Sequence, residues 1–164
     1  MESKFIIDPS LLDLDNPIAD INAIRVFNPQ RHEMEQLSAI LYEDVERKVC
    51  AALKEITDDE FWVRGHMPGF PLLPGVLICE AAAQLCSYYA TTNGLNTGDF
   101  IAFGGMENVR FRGAVKPGDR LVIAIKAIDI RPRRRALFTC QGIVGSTLVF
   151  HGDVIGVPFS TGSR

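Results

Sequence analysis

Between Met67 and Gly98 the chain carries one charged side chain, Glu80, in a run that is otherwise apolar or uncharged. From Gly75 the stretch VLICEAAAQLCSYYATTN is apolar nearly all round. That pattern predicts a helix buried by its neighbours rather than one lying on a surface, with Gly94 as its stop. After Gly94-Leu-Asn-Thr-Gly98 the texture changes. DFIAFGG, MENVRFRG, DRLVIAIKAIDI, RALFTCQGIVG and TLVFHGDVIGVP are rich in Val, Ile and Phe and separated by turn chemistry, so they read as strands. Pro117-Gly118 suits a type II turn, with Gly where φ must be positive, and Gly145-Ser146 suits a hairpin.

Upstream the periodicity is weaker. Residues 1–20 mix Asp, Pro and Leu without a clean period and read as an N-terminal extension or short capping segment. INAIRVF reads as a short helix ended by Asn28-Pro29, and HEMEQLSAIL either starts another helix or leads into a strand. In VERKVCAALKEIT, Val49, Ala51 and Leu53 fall on one side of a strand, although Ala and Lys leave that assignment ambiguous. One buried helix followed by consecutive strands is an α+β arrangement, with an antiparallel sheet wrapped round the helix. The expected organisation is a single domain over 21–160, between the extension at 1–20 and a short tail at 161–164.

Composition narrows the function classes. At 164 residues, 47% hydrophobic and 23% charged, the chain suits one globular domain with a substantial core. A formal net charge of −3 argues against a nucleic-acid binder. No apolar run reaches membrane-spanning length without polar interruption, and MESKFIIDPSLLDLD lacks the basic-then-apolar layout of a secretory signal. The expected compartment is the cytoplasm, with no membrane partner. Cys50, Cys79, Cys86 and Cys140 form no CxxC and no metal-ligand spacing, which predicts buried reduced thiols. His32-Glu33 with Glu35 does not make HExxH, so no metal or cofactor is expected.

The candidate chemistry sits in GHMPGFPLLPGVLICEAAAQ, residues 65–84. Pro68, Pro71 and Pro74 make a stiff loop that can present His66 at a fixed angle. Glu80 falls about one and a half turns into the helix, and Gln84 lies four residues further on the same face, placed to hold the carboxyl. The first N–H groups of the helix, at Gly75 and Val76, are ready to bind partial negative charge. An imidazole, a carboxyl in apolar surroundings and a helix N-terminus are the parts of a proton-transfer site acting next to a carbonyl.

The same stretch resembles the signature of the FabZ-type 3-hydroxyacyl-[acyl-carrier-protein] dehydratases, GHFPGxPxxPGVLxxEAxAQ. FGGMENVRFRGAVKPGDRL is similar to that family's downstream FxGxxxxRFxxxVxPGDxL, and together the two cover most of residues 45–157. The resemblance implies a hot-dog fold, a long central helix wrapped by a curved antiparallel sheet. It also implies a homodimer, in some members grouped as a hexamer of three dimers. It makes His66 and Glu80 the catalytic pair, supplied by opposite subunits. His66 would take the C2 proton of a 3-hydroxyacyl thioester and Glu80 would protonate the departing hydroxyl. The Gly75 N–H would bind the thioester oxygen, the Leu72 carbonyl would orient the imidazole, and Gln84 would position Glu80. Glu rather than Asp at this place resembles FabZ more than the bifunctional FabA enzymes, so no double-bond isomerisation is expected.

The implied partner is an acyl carrier protein with a phosphopantetheine-linked acyl chain. Arg110, Arg112, Arg133 and Arg134, with Lys116, Arg131 and Arg135 nearby in sequence, are the candidates to meet its acidic surface or phosphate. The chain departs from the pattern in two places. NPQRHEMEQLSAI keeps Pro29 and Arg31 of the family's PHRxPFLLVDR-like segment, but Gln30 replaces the His and the Pro-Phe-Leu-Leu run is gone. Met67 stands where Phe is common. A hot-dog acyl-thioesterase and a non-catalytic carrier-binding protein are the alternative readings.

Overall fold

The computed structural model describes residues 4–162. In chain order the elements are β1 (Ala19–Asp20), α1 (Ile21–Phe27), β2 (Ala39–Asp44), β3 (Val49–Glu55), α2 (Gly75–Thr92), β4 (Phe100–Phe111), β5 (Arg120–Arg131), β6 (Arg135–Val144) and β7 (Thr147–Phe159). The strands form one antiparallel sheet in the order β1-β2-β3-β5-β6-β7-β4, which leaves β4 at an edge. α2 packs along the inner face of this sheet, the α+β hot-dog arrangement expected from the sequence. Of the tail expected at 161–164, residues 163–164 lie outside the described residues, as do residues 1–3 of the extension.

Local chemistry explains the ends of the elements. Asp20 caps α1 by accepting from the Ala23 N–H at 3.0 Å. α2 stops at Asn93-Gly94: Gly94 has φ +67, its N–H bonds to Thr91 O at 3.2 Å, and the Leu95 N–H reaches Ala90 O at 2.7 Å. That pair of bonds is the Schellman closure, which needs the left-handed residue that glycine supplies. Lys116-Pro117-Gly118-Asp119 closes through Asp119 N to Lys116 O at 3.0 Å with Gly118 at φ +91, the type II turn expected there. Gly145-Ser146 joins β6 to β7, Val144 pairing with Thr147.

In β3, Val49, Ala51 and Leu53 face an outer apolar cluster while Cys50 and Ala52 face the core around α2, so this strand is buried on both faces. Residues of the N-terminal segment account for the outer burial. Ile7 is buried there, and Phe5, Ile6, Leu12 and Leu14 pack against Leu41, Val122, Ala124 and Ile143. Gln141 ties the segment down by accepting from Ile6 N–H and donating to Lys4 O. On the inner face Phe138 and Phe150 are fully buried among Leu85, Cys86 and Tyr89, each such side chain contributing about 1.5–3 kcal/mol.

Of the two readings left open for HEMEQLSAIL the chain takes the second: after a single 3-10 turn at His32–Met34 it leads into β2. Two features differ from the pattern reading. DFIAFGG and MENVRFRG are not separate strands but one strand, β4, with irregularities at Phe103/Gly105 and Glu107/Arg110. The ladder to β7 continues through both, because a bulge absorbs an extra residue without ending the pairing. Finally, α2 is not enclosed on every side. Val76 is exposed and Cys79, Glu80 and Ala83 are half-buried, a stripe at helical spacing, because among the described residues the sheet ends at β4.

Candidate functional site

His66 is carried by a segment without regular structure between β3 and α2. Its N–H and that of Gly65 both bond to Trp62 O, at 2.8 and 3.1 Å, and the Leu72 N–H returns to His66 O at 2.8 Å. Within this closure Met67-Pro68-Gly69-Phe70 forms a tight turn with Gly69 at φ +77. The imidazole Nδ1 lies 2.8 Å from Leu72 O. A carbonyl oxygen only accepts, so this contact places a proton on Nδ1, and in the neutral ring it is then Nε2 that has the lone pair.

Glu80 projects from the uncovered stripe of α2. Gln84, one turn later and buried, donates through Nε2 to Glu80 Oε1 at 2.7 Å and to Met34 O at 2.6 Å. Gln84 Oε1 accepts the Gln36 N–H at 2.9 Å, and the Gln84 backbone carbonyl accepts from Asn28 Nδ2 at 3.0 Å. The amide is therefore fixed from both ends, and it fixes the Glu80 carboxyl in turn. The segment that departs from the family pattern supplies these anchors largely through main-chain atoms of Met34 and Gln36. That segment is itself pinned by Arg31, which donates to Asn28 O and Arg25 O, and by the forked Arg25–Glu35 pair. The Arg25 guanidinium holds the Glu35 carboxyl below its usual range.

Gly75 begins α2, and Pro74 before it offers no side-chain cap. The Leu77 N–H turns back to Pro74 O at 2.9 Å, while the Gly75 and Val76 N–H groups have no intrahelical acceptor. A Cβ on Gly75 would meet the Phe111 ring at 2.7 and 2.8 Å. Glycine lets the end of β4 lie directly against the start of α2.

Two cavities open beside Glu80. One, of about 320 Å³, runs along α2 past Ala83 and Ser87 between Phe100–Phe103 of β4 and Gln30. The other, of about 450 Å³, is walled by Val76, Cys79, Phe103, Met106, Val109 and Phe111. His66 lines neither. Apolar side chains around both groups are open to solvent, among them Met67, Phe70, Val76, Phe103 and Phe111.

The arginines do not gather at one place. Arg110 and Arg112 flank Phe111 at the α2 end of β4, Arg112 Nε donating to His151 Nδ1 at 3.3 Å. Arg133 and Arg134 occupy the β5–β6 turn, next to Ala136, which pairs with Gly156 opposite Phe103 near the other end of β4. The two groups are thus roughly 20 Å apart along the sheet at about 3.3 Å per strand residue. Arg131 and Arg135 pair with Asp129, whereas Arg133 and Arg134 have no ion pair among the described residues.

Sequence reading missed the Met34 carbonyl, the Gln36 N–H and Asn28 as anchors of Gln84. Main-chain groups leave no trace in residue type. The one available signal was Gln36 itself, a polar residue leading into an apolar strand and fully buried in the fold. The thiols carry no such role. Cys50 and Cys86 are buried, which pushes both thiols above their usual range, and Cys86 Sγ lies 3.8 Å from Cys140 Sγ without a bond.

Residues 28–153 match the family model described as the FabA-like domain. Curated relatives include the 3-hydroxyacyl-[acyl-carrier-protein] dehydratase FabZ of Streptococcus thermophilus, 38% identical over 112 residues, which span 68% of this chain and 78% of that protein. The protein of the same name from Desulforamulus reducens is 37% identical over 112 residues, with the same coverage. Among solved structures, the dehydratase heterocomplex ApeI:P from Xenorhabdus doucetiae superposes with a TM-score of 0.70 over 84% of this chain and 91% of that one, at 14% identity. Cj0977 of Campylobacter jejuni, described as a sigma28-regulated virulence protein, gives 0.63 over 90% and 96%, at 16% identity. At these identities the two structures speak for the fold alone. The family match and the curated relatives go further: the chain belongs to the FabA-like family, among the FabZ-type dehydratases of the hot-dog fold.

Proposed function

We propose that this protein reversibly dehydrates 3-hydroxyacyl-[acyl-carrier-protein] to the trans-2-enoyl thioester, in fatty-acid or lipid biosynthesis. It works as a cytoplasmic homodimer whose hot-dog domain spans residues 21–160. The observation that carries the proposal is Glu80. It is the charged residue of an apolar helix, set in one orientation by Gln84 at the mouth of two cavities.

In the elimination direction, His66 Nε2 takes the C2 proton. The C3–O bond breaks, and the hydroxyl leaves as water with a proton from the partner's Glu80. Negative charge gathering on the thioester oxygen meets the Gly75 N–H at the start of α2, where the helix dipole adds to the hydrogen bond. The Leu72 carbonyl keeps the imidazole in the tautomer this step requires. Hydration runs the same path in reverse.

Pairing across subunits fits two features. β4 ends the sheet with its outer edge unused, and the apolar side chains beside His66 and Glu80 are uncovered. A two-fold contact along β4 closes both. It also sets one subunit's Arg133–Arg134 end beside the other's Arg110–Arg112 end, joining them into one basic surface for the carrier's acidic face or its phosphopantetheine phosphate. Whether such dimers group further is read from the solution mass.

The test follows loss of the conjugated enoyl absorbance of a short trans-2-enoyl thioester as water adds. Wild type is expected to hydrate it, and His66→Ala and Glu80→Gln to fail while remaining folded dimers. Release of free thiol faster than hydration would overturn the proposal in favour of a thioesterase.

A further inference from the structure

We propose that Lys54, Glu60 and Trp62 form a buried positioning device that sets His66 against the sheet, an inference that rests on the dehydratase reading above. Residues 57–74 contain no helix or strand, so something other than secondary structure must place the imidazole. The contacts of His66 with Leu72 O and Leu72 N fix the ring relative to its own loop, not the loop relative to the rest of the fold.

Among the described residues, two long-range hydrogen-bonded ties reach outside. One is main-chain, Leu73 N to Val115 O at 2.7 Å. The other begins at Lys54, on the same face of β3 as Cys50 and Ala52 and 4% exposed. Its Nζ donates to Glu60 Oε1 at 2.9 Å. The second oxygen, Oε2, accepts from Trp62 Nε1 at 3.0 Å. The Trp62 indole is buried in the core, and its main-chain carbonyl accepts the His66 N–H at 2.8 Å. A directed chain therefore runs from a rigid central strand, through one ion pair and one indole, to the backbone of the base.

Stability alone does not call for these residues. Apolar replacements of a buried ion pair are often neutral or stabilising, so an ammonium and a carboxylate in this place supply direction rather than cohesion. A misplaced general base slows proton transfer more than it weakens substrate binding.

The experiment compares wild type, Glu60→Gln and Lys54→Met/Glu60→Leu, using a 3-hydroxyacyl thioester with hydrogen or deuterium at C2. A Gln amide puts an NH2 group in place of one carboxylate oxygen and so faces one of the two donors with a donor, and the double variant removes the ionic tie while keeping the volume apolar. For both variants kcat should fall ~10–100-fold, the range for small misplacement of a reacting group. KM should stay within about twofold and the isotope effect on kcat should rise, as expected when the step lost belongs to the transition state. The imidazole ¹⁵N shifts of His66 should also move without substrate. A folded variant with wild-type kcat, isotope effect and imidazole shifts overturns the positioning role. If Glu60→Gln does not fold, the double variant carries the test. Wild-type rate in His66→Ala would instead overturn the reading beneath it.

Discussion

Gln84→Leu tests the connection between the divergent segment and the carboxyl of Glu80, the proposed acid. Leucine keeps much of the volume but cannot make the bonds to Met34 O, the Gln36 N–H and Glu80. Gln36 is 1% exposed, so its N–H would be left in the interior without an acceptor. Met34 is exposed, and water can replace part of what its carbonyl loses. An unpaired buried donor costs about 1–3 kcal/mol, so a total of roughly 2–4 kcal/mol is expected, with some offset from the added apolar burial. In a chain of this size that lowers Tm by roughly 5–12 °C. The second effect is catalytic: released from Gln84, Glu80 samples several rotamers, and kcat should fall ~10–100-fold while KM changes little. Thermal denaturation by circular dichroism and the enoyl hydration assay read the two effects separately. A Tm within about 2 °C of wild type would refute the burial reasoning, given the cost of an orphaned donor. A lowered Tm with unchanged kcat would refute the link from Gln84 to Glu80.

Glu80→Gln should lower kcat ~10²–10⁴-fold, the usual worth of a positioned acid or base, with Tm near wild type because Glu80 is half-buried and can still accept from Gln84; retention of near-full rate would remove it from the mechanism. Gly75→Ala should displace the Phe111 ring and lower both kcat/KM and Tm, and a second change, Phe111→Ala, should recover Tm but not rate. Glu35→Gln should destabilise the protein at neutral pH, because the Arg25 hydrogen bond depresses the Glu35 pKa below 4.5 in the fold. A depressed carboxyl contributes stability above its unfolded pKa and loses it as pH falls through the folded one, so the gap between variant and wild type should close in acid. A gap that stays constant in urea titrations from neutral pH down would contradict this. Thiol reagents should leave Cys50, Cys86 and Cys140 unmodified until the protein unfolds, since burial denies access to all three and disfavours the thiolate of Cys50 and Cys86.

Much of the fold was legible because it is written in local chemistry. The apolar run from Gly75 made α2, Gly94 ended it, and Pro117-Gly118 and Gly145 set the turns that divide the strands. The candidate pair stood out for a different reason. Glu80 stands out as a charge where burial makes charges rare, and His66 sits in a segment stiffened by three prolines. Each of these features depends on residue type within a few positions, and residue type is what a sequence records.

Other features were decided only when distant segments met. The continuity of β4 through two irregularities depends on pairing with β7, a strand more than thirty residues away in the chain. The outer burial of β3 depends on Ile7, 42 residues before Val49. The open stripe on α2 exists because the sheet stops at β4, a property of strand order rather than of the helix. The anchors of Gln84 are a carbonyl and an amide that every residue possesses, and the two arginine groups expected to act together lie apart, Arg110 and Arg112 at the end of β4 and Arg133 and Arg134 in the β5–β6 turn near its other end. Local propensities determined which segments became helix, turn and strand. Tertiary packing determined which main-chain groups faced one another, because a backbone donor has no identity until the fold gives it a partner.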